Sequence, residues 1–350
     1  MANKRAVVEA INKEILLRKS YLPTSNISTI YFGGGTPSLL DQNELDLLLT
    51  TIYSNFEVDG DAEVTLEANP DDLSKAKLEQ LSRSGINRLS IGIQSFYEPH
   101  LLFLNRAHNA LEAESCVKNA QDAGIENISI DLIYAIPFLD HSILESDIEK
   151  AFQLNTSHIS AYCLTIEPQT AFGDWLKKRK IQPIDEEFAA RQFEILVSSL
   201  AANGYEQYEI SNFARNEQYS RHNTSYWQQK PYLGVGPSAH SYDGISRQFN
   251  VANNAKYLSA IQQDSFPSTI EQLSVVDQTN EYLLTGLRTK WGVNLGVLHE
   301  LSNGVFRMQH QSKIDDFVKQ NLISIDDKII VLTKHGKLFA DKITGDLFID

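Results

Sequence analysis

Two cysteines, Cys116 and Cys163, are all that 350 residues contain. Set far apart, they exclude a disulfide framework and any cysteine-only zinc or iron–sulfur site within one chain. They fit a reducing cytosol. Long apolar runs are also missing: nothing approaches the ~18 residues that a membrane-spanning helix needs. The opening MANKRAVVEAINKEI is charged and amphipathic, without the apolar centre of a secretory leader. Basic surplus is absent too. With 31 Lys and Arg against 45 Asp and Glu the net charge is −14, which excludes a general polyanion binder. No HExxH, GxSxG, Walker loop or carboxylate-rich calcium loop occurs. What remains is a globular composition, 42% hydrophobic and 22% charged. A soluble, cytoplasmic protein with no membrane span and no nucleic-acid partner is expected.

Short β-branched runs alternate with longer stretches of helical spacing. Strands are predicted at Ile27–Phe32, Glu63–Glu67, Arg88–Ile93, Asn127–Ile133 and His158–Leu164. Helices are predicted at Asp41–Tyr53, Leu73–Ser84, Ala110–Ala123, His141–Phe152 and Glu186–Asn203, several ending in glycine. This reads as an α/β fold of βα units around a parallel sheet, whose ligand site lies at the C-terminal strand ends. The chain opens with a helix, Arg5–Ser20, whose apolar positions Val8, Ile11, Ile15 and Leu16 have helical spacing, and no strand precedes it. The edge of Ile27–Phe32 is therefore expected to be open, a template for a homodimer.

Three regions are expected: a partial (β/α) barrel over 1–210, a connecting region over 211–274 rich in Asn, Ser, Tyr and Gly, and a C-terminal helical, winged-helix-like domain over 275–350. The last is read as helices Asn280–Leu287, Leu295–Glu300 and Ile314–Gln320 with strands Ile329–Leu332 and Leu347–Ile349. Its slight acidic excess is the wrong sign for a DNA-gripping wing.

Gly33-Gly34-Gly35-Thr36 joins a strand to a helix, where backbone N–H groups can approach an anionic or zwitterionic ligand. A plain tight turn is the alternative. Glu67 and Asp131 end otherwise apolar strands, which suits a polar ligand or acid–base work; helix capping or pairing with Arg88 or Arg106 competes. His222 beside Tyr226 and Trp227 combines an imidazole with aromatic faces, fit for a flat cofactor or metal, or for an ordinary structural role. Cys163 is read as a small hydrophobe rather than a nucleophile.

In order along the chain stand Ile30-Tyr31-Phe32-Gly33-Gly34-Gly35-Thr36-Pro37, Glu67-Ala68-Asn69-Pro70, Gly85 to Phe96 (GINRLSIGIQSF), Asn105-Arg106-Ala107-His108 and Asp131-Leu132-Ile133-Tyr134. This series resembles the radical S-adenosylmethionine (SAM) family of oxygen-independent coproporphyrinogen III oxidases and their HemW-type haem chaperone relatives. His222-Asn223 with Tyr226-Trp227 is similar to the HNxxYW motif of the chaperone branch. The resemblance covers nearly the whole chain. It implies a six-strand partial barrel holding SAM beside a [4Fe–4S] cluster. By motif, Gly34, Gly35 and Thr36 would hold the methionyl end of SAM, and Glu67, Gln94, Arg106 and Asp131 the rest. Thr165 follows by strand alignment alone. His222 would meet haem, with Tyr226 and Trp227 beside it. The implied partners are haem or porphyrin and haem-accepting proteins. A haem chaperone is the first reading; an oxygen-independent coproporphyrinogen III oxidase or a cluster-free ligand-binding relative are the alternatives.

The family's CxxxCxxC motif has no counterpart here, since neither Cys116 nor Cys163 matches it. The chain is thus expected to lack metal ligands and catalytic residues, and to bind without cleaving SAM reductively. The cysteine motif and the first barrel strand belong to one segment ahead of the opening helix. A single absent N-terminal piece, with Met1 an internal methionine, accounts for both; a cluster is then expected only in a full-length parent.

Overall fold

A computed structural model describes residues 4–137 and 140–350; Met1, and the expectation attached to it, lie outside the described residues. The elements begin with α1 (Lys4–Leu17), β1 (Asn26–Phe32), α2 (Gln42–Asn55), β2 (Glu57–Ala68), α3 (Lys75–Arg83) and β3 (Arg88–Gln94). Next come α4 (Glu98–Phe103), α5 (Ala110–Asp122), β4 (Asn127–Tyr134), α6 (Ser142–Gln153), β5 (His158–Cys163), α7 (Ala171–Lys177) and α8 (Glu186–Ala202). Then follow β6 (Glu206–Gln207), β7 (Asn212–Ala214), α9 (Arg221–Trp227), β8 (His240–Tyr242), β9 (Ser246–Asn250), α10 (Asn254–Gln262) and β10 (Ser268–Gln272). The chain closes with α11 (Val275–Leu287), β11 (Val293–Asn294), α12 (Leu295–Leu301), α13 (Val305–Lys319), β12 (Ile323–Asp326), β13 (Ile329–Leu332) and α14 (Ala340–Asp346).

Seven strands form one sheet in the order β1-β2-β3-β4-β5-β7-β6. The β2–β3, β3–β4 and β4–β5 pairs are parallel, and β7 then joins β5 antiparallel with β6 beside it. The five expected strands are present, and β6 and β7 extend the sheet. Those two are too short to carry an apolar run; they are held by the buried side chains Tyr208 and Phe213. The sequence alternates with period two, and both faces are buried. Leu89, Ile91, Ile93, Ile128, Ile130 and Ile159 form an apolar face. Thr65, Arg88, Ser129, His158 and Ser160 form a polar one, equally out of solvent. A buried polar face must satisfy its hydrogen bonds internally, and its outlet is the C-terminal rim.

The chain divides into two compact units. Tyr31–Leu39 with Val64–Ser220 makes one, which contains the polar sheet face. Met1–Ile30, Leu40–Glu63 and Arg221–Asp350 make the other. In that second unit α1 lies against α10, where Ala10, Tyr257 and Ile261 form a small core. No helix among the described residues is long and apolar enough to cross a membrane.

The C-terminal part needs one correction. Leu347–Ile349 is not a strand: Asn280 donates from Nδ2 to the Ile349 carbonyl (2.9 Å) and accepts the Ile349 N–H (2.8 Å). A single side chain thus does the work of a strand partner, and leaves apolar Leu347 and Ile349 buried. The wing hairpin is instead β12–β13, paired antiparallel, with β11 on its other side. Its two-residue turn, Asp327-Lys328, has φ of 40° and 71°, the left-handed pair of a type I′ turn. Glycine suits the second position, so Lys328→Gly is expected to raise unfolding free energy by about 1 kcal/mol, read from urea denaturation.

Candidate functional site

The rim of the parallel sheet is built by register. Glu67 pairs with Ser90 across β2–β3, and Asp131 with Ser160 across β4–β5. Glu67, Ser90 and Asp131, with Gln94 at the end of β3 and Arg106 after α4, line a cavity of about 240 Å³ that also reaches Gly35, Thr36 and Asn69. Six of the residues singled out in the sequence are therefore brought together: Gly35, Thr36, Glu67, Gln94, Arg106 and Asp131. Gly34 joins them by donating its N–H to Glu67 Oε2 at 3.1 Å. Thr165 does not line the cavity; it is exposed beyond β5, its hydroxyl 3.4 Å from the Cys163 carbonyl.

Each wall has a local cause. Gly34 and Gly35 take φ of 72° and 64°, which glycine adopts freely. The Tyr31 hydroxyl donates to Glu67 Oε1 at 2.6 Å, so Glu67 holds both the strand end and the glycine turn. Arg106 Nη2 donates to Asn69 Oδ1 (2.8 Å) and to the Gly92 carbonyl (3.0 Å), while its Nε is buried with no partner. Burial lowers the guanidinium from its ordinary value, and the Asp71 and Asp131 charges oppose that. A Cβ at Gly92 would stand 2.9 Å from Gln94 Nε2 and 3.4 Å from Arg106 Nη2, so a larger residue there would make the ends of both side chains shift.

Gln94 has φ of 69°, a left-handed conformation for a non-glycine residue. The turn after it is held by buried Asp147 of α6, which accepts from Ser95 Oγ (2.5 Å) and Phe96 N–H (2.8 Å). Burial pushes that carboxyl up to about 6 despite those two hydrogen bonds.

Asp131 accepts from Ser90 Oγ at 3.3 Å to each oxygen. Burial pushes its carboxyl up to about 7; the Ser160 hydroxyl pulls it down, and the Glu67 charge adds to the rise. Arg88 Nη1 donates to Asn127 Oδ1 at 2.7 Å, and its positive charge also pulls the Asp131 carboxyl down. Below them His158 has Ser129 Oγ 2.7 Å from Nδ1 and Tyr208 OH 2.8 Å from Nε2. Burial, with the Arg88 charge adding to it, holds this imidazole neutral.

His222, Tyr226 and Trp227 belong to the other compact unit, on α9, and are described separately. One helical turn apart, His222 and Tyr226 share a face. The His222 Nδ1 lies 2.9 Å from Thr29 Oγ1, and its Nε2 lies 3.2 Å from Tyr226 OH. Burial pushes the imidazole down to about 4, so it is neutral at pH 7. Tyr226 meets the rings of His222 and Tyr232 edge-on, with centroids 4.9 and 4.6 Å away. The indole Nε1 of Trp227 is buried without a hydrogen-bond partner.

An iron–sulfur cluster finds no ligand set among the described residues. Cys116 is buried on α5 and its thiol is pushed up to about 12 by burial, whereas Cys163 is exposed at the end of β5. No group of three or more His, Cys, Asp or Glu among the described residues could hold a metal ion.

Sequence reasoning missed Ser90, Asp147 and Thr29 as supporting residues. Ser90 was detectable, since it stands two before Gly92 and opposite Glu67 in a strand with strict alternation. Asp147 and Thr29 carry no local signal; each matters through a partner at least 50 residues away.

Residues 7–151 match the model of the Radical SAM superfamily, and residues 273–339 that of the HemN C-terminal domain. The heme chaperone HemW of Bacillus subtilis is 33% identical over 340 residues, covering 97% of this chain and 90% of its own length. That of Escherichia coli is 31% identical, covering 94% and 86%. Radical S-adenosyl methionine domain-containing protein 1, mitochondrial, of Danio rerio is 35% identical, covering 99% and 81%. Among solved structures, coproporphyrinogen III oxidase (HemN) from Escherichia coli superposes with a TM-score of 0.81 over 98% of this chain and 82% of that one. At 21% identity this shows a common fold.

Proposed function

The chain belongs to the radical SAM coproporphyrinogen III oxidase-like family, in its HemW branch, and from that membership we propose that it binds haem at α9 and SAM at the sheet rim, and passes haem to haem-requiring proteins. The observation that carries the reading is the state of His222. It is a neutral imidazole held in plane by Thr29 and Tyr226, on the helix that bears the HNxxYW motif. Neutral imidazole is the form that ligates iron. The exposed ring of Tyr226 suits a flat ligand.

The rim cavity fits SAM on the chemistry of its donors. SAM brings a sulfonium cation, a zwitterionic methionyl group and a ribose diol. The Gly35 N–H with the Thr36 hydroxyl would take the methionyl carboxylate, beside Gly34, whose own N–H holds Glu67; Glu67 and Asp131 would take the amine and the cationic side; Gln94 would take ribose. Arg106, a cation lining the cavity, suits the methionyl carboxylate or another anionic group of a ligand. Since the described residues offer no ligand set for a cluster, no radical step is assigned to them.

Haemin titration followed in the Soret region tests the reading. Wild type is expected to give a saturable shifted band and His222→Ala to lose it. Equilibrium dialysis with SAM is expected to show binding that Arg106→Ala weakens by at least tenfold. An unchanged Soret spectrum in both proteins overturns the haem assignment.

A further inference from the structure

His222 is positioned from both of its ring nitrogens and from the backbone that carries it. Helix α9 is seven residues long and its first turn is anchored to β2. The Glu63 carboxylate accepts the N–H groups of Arg221 (3.1 Å) and His222 (2.9 Å), and Arg221 Nη1 donates to the Asp61 carbonyl at 2.6 Å. A carboxylate at a helix N-terminus meets the positive end of the peptide dipoles, so α9 is fixed at the end where His222 sits. The imidazole has one N–H and one lone pair to place between Thr29 Oγ1 and Tyr226 OH. A phenol is a much stronger donor than an aliphatic hydroxyl. Tyr226 O–H therefore donates to Nε2, and Nδ1–H donates to Thr29.

We propose that Thr29 is the positioning residue of the haem site: it accepts the Nδ1–H of His222, fixes the tautomer and ring plane, and so presents the Nε2 lone pair, which Tyr226 O–H holds until haem iron takes its place. This rests on the haem-binding reading of His222. It adds a strand residue outside the HNxxYW motif whose effect is on the iron–imidazole bond rather than on the fold. A hydrogen bond from the non-ligating nitrogen makes the imidazole more basic, and loss of such a partner typically weakens a metal site 10–100-fold.

The experiment uses the full chain reconstituted with haemin and then reduced with dithionite. Thr29→Val keeps the shape and the β-branching and removes the acceptor; Thr29→Ser restores it. Haem dissociation and the resonance-Raman iron–histidine stretch are read for wild type, both Thr29 variants, Tyr226→Phe and His222→Ala. Thr29→Val is expected to raise the haem dissociation constant about tenfold and to lower the stretch frequency, with an unchanged thermal unfolding midpoint; Thr29→Ser is expected to return both to the wild-type values. Tyr226→Phe is expected to keep the stretch and to speed haem association. If His222→Ala keeps the wild-type spectrum, the haem reading itself falls. If His222→Ala loses the stretch while Thr29→Val keeps both its frequency and the wild-type affinity, the role of Thr29 is overturned and the haem reading stands. An association rate that Tyr226→Phe leaves unchanged removes the placeholder role.

Discussion

Glu14→Ala is expected to lower the unfolding free energy by about 3–5 kcal/mol, enough to leave a domain of ordinary stability partly unfolded. Glu14 sits on α1 with no solvent exposure, and its carboxylate has four donors. Oε1 accepts from Arg18 Nη1 (3.2 Å) and Asn250 Nδ2 (2.8 Å); Oε2 accepts from Gly236 N–H (2.8 Å) and Tyr257 OH (2.7 Å). Alanine removes the acceptor and leaves these donors inside. Each buried unsatisfied group costs about 1–3 kcal/mol, and the Arg18 charge, 5% exposed, loses its ion pair. Glutamine is expected to recover less than half, because its NH₂ must face donors on one side. Urea unfolding at pH 7 measures both. A loss below ~1 kcal/mol for alanine would mean that water or a shifted side chain replaces the carboxylate. Arg18→Met alone is expected to cost less, since Glu14 keeps its three other donors, Gly236, Asn250 and Tyr257, and the Gly234 carbonyl and Gln248 Oε1 lose one donor each.

The same residue shows where the sequence stops being legible. Helical spacing in α1 points to Val8, Ile11, Ile15 and Leu16 as the inward stripe. Val8 and Ile15 are buried, but Leu16 is 45% exposed and Glu14 is not exposed at all. An acid at that position reads as surface until its partners, all but Arg18 more than 200 residues away, are known. The rim was legible for the opposite reason. Parallel strands in register bring their C-terminal residues together whatever lies between, so marking strand ends was enough to collect Glu67, Gln94 and Asp131. Thr165 does not line the cavity, since β5 ends at Cys163, two residues before it. Helix α9 was invisible to periodicity: RHNTSYW has no apolar stripe, and its stability comes from Glu63 and from neighbouring rings. Leu347–Ile349 misled through composition, since apolar residues pinned by one asparagine have the same pattern as a short strand. Cooperation between distant side chains, rather than local propensity, decided Glu14, α9 and Leu347–Ile349.

Asp131→Asn is expected to make the protein more stable and a poorer binder of SAM. Burial holds the Asp131 carboxyl at about 7, against 3.8 for the ordinary group. Between those two values the folded chain carries more protons than the unfolded one, so unfolding releases a proton and stability falls as pH rises. Below about pH 4 the two states are equally protonated and the penalty vanishes; above pH 7 it is complete. A displacement of that size corresponds to roughly 4 kcal/mol, and solvent entering from the cavity mouth trims it to about 2–4 kcal/mol. Asparagine keeps the shape and the contact with Ser90 but never ionises. Its gain over wild type is therefore expected to be about 2 kcal/mol or more at pH 8 and close to nil at pH 4, read from urea unfolding at both values. Equal or lower stability of the variant at pH 8 would show that Ser90 and Ser160 already compensate the charge. SAM dialysis on the same protein supplies the other half. A second carboxylate beside Glu67, in a cavity whose one cation is Arg106 among the lining residues, is unfavourable until a positively charged ligand arrives. The sulfonium and ammonium of SAM would provide that charge and hold Asp131 ionised, so SAM affinity is expected to rise between pH 6 and 8 in wild type and to be low and flat in Asp131→Asn. A variant that is both more stable and as good a binder would place the function of the cavity elsewhere.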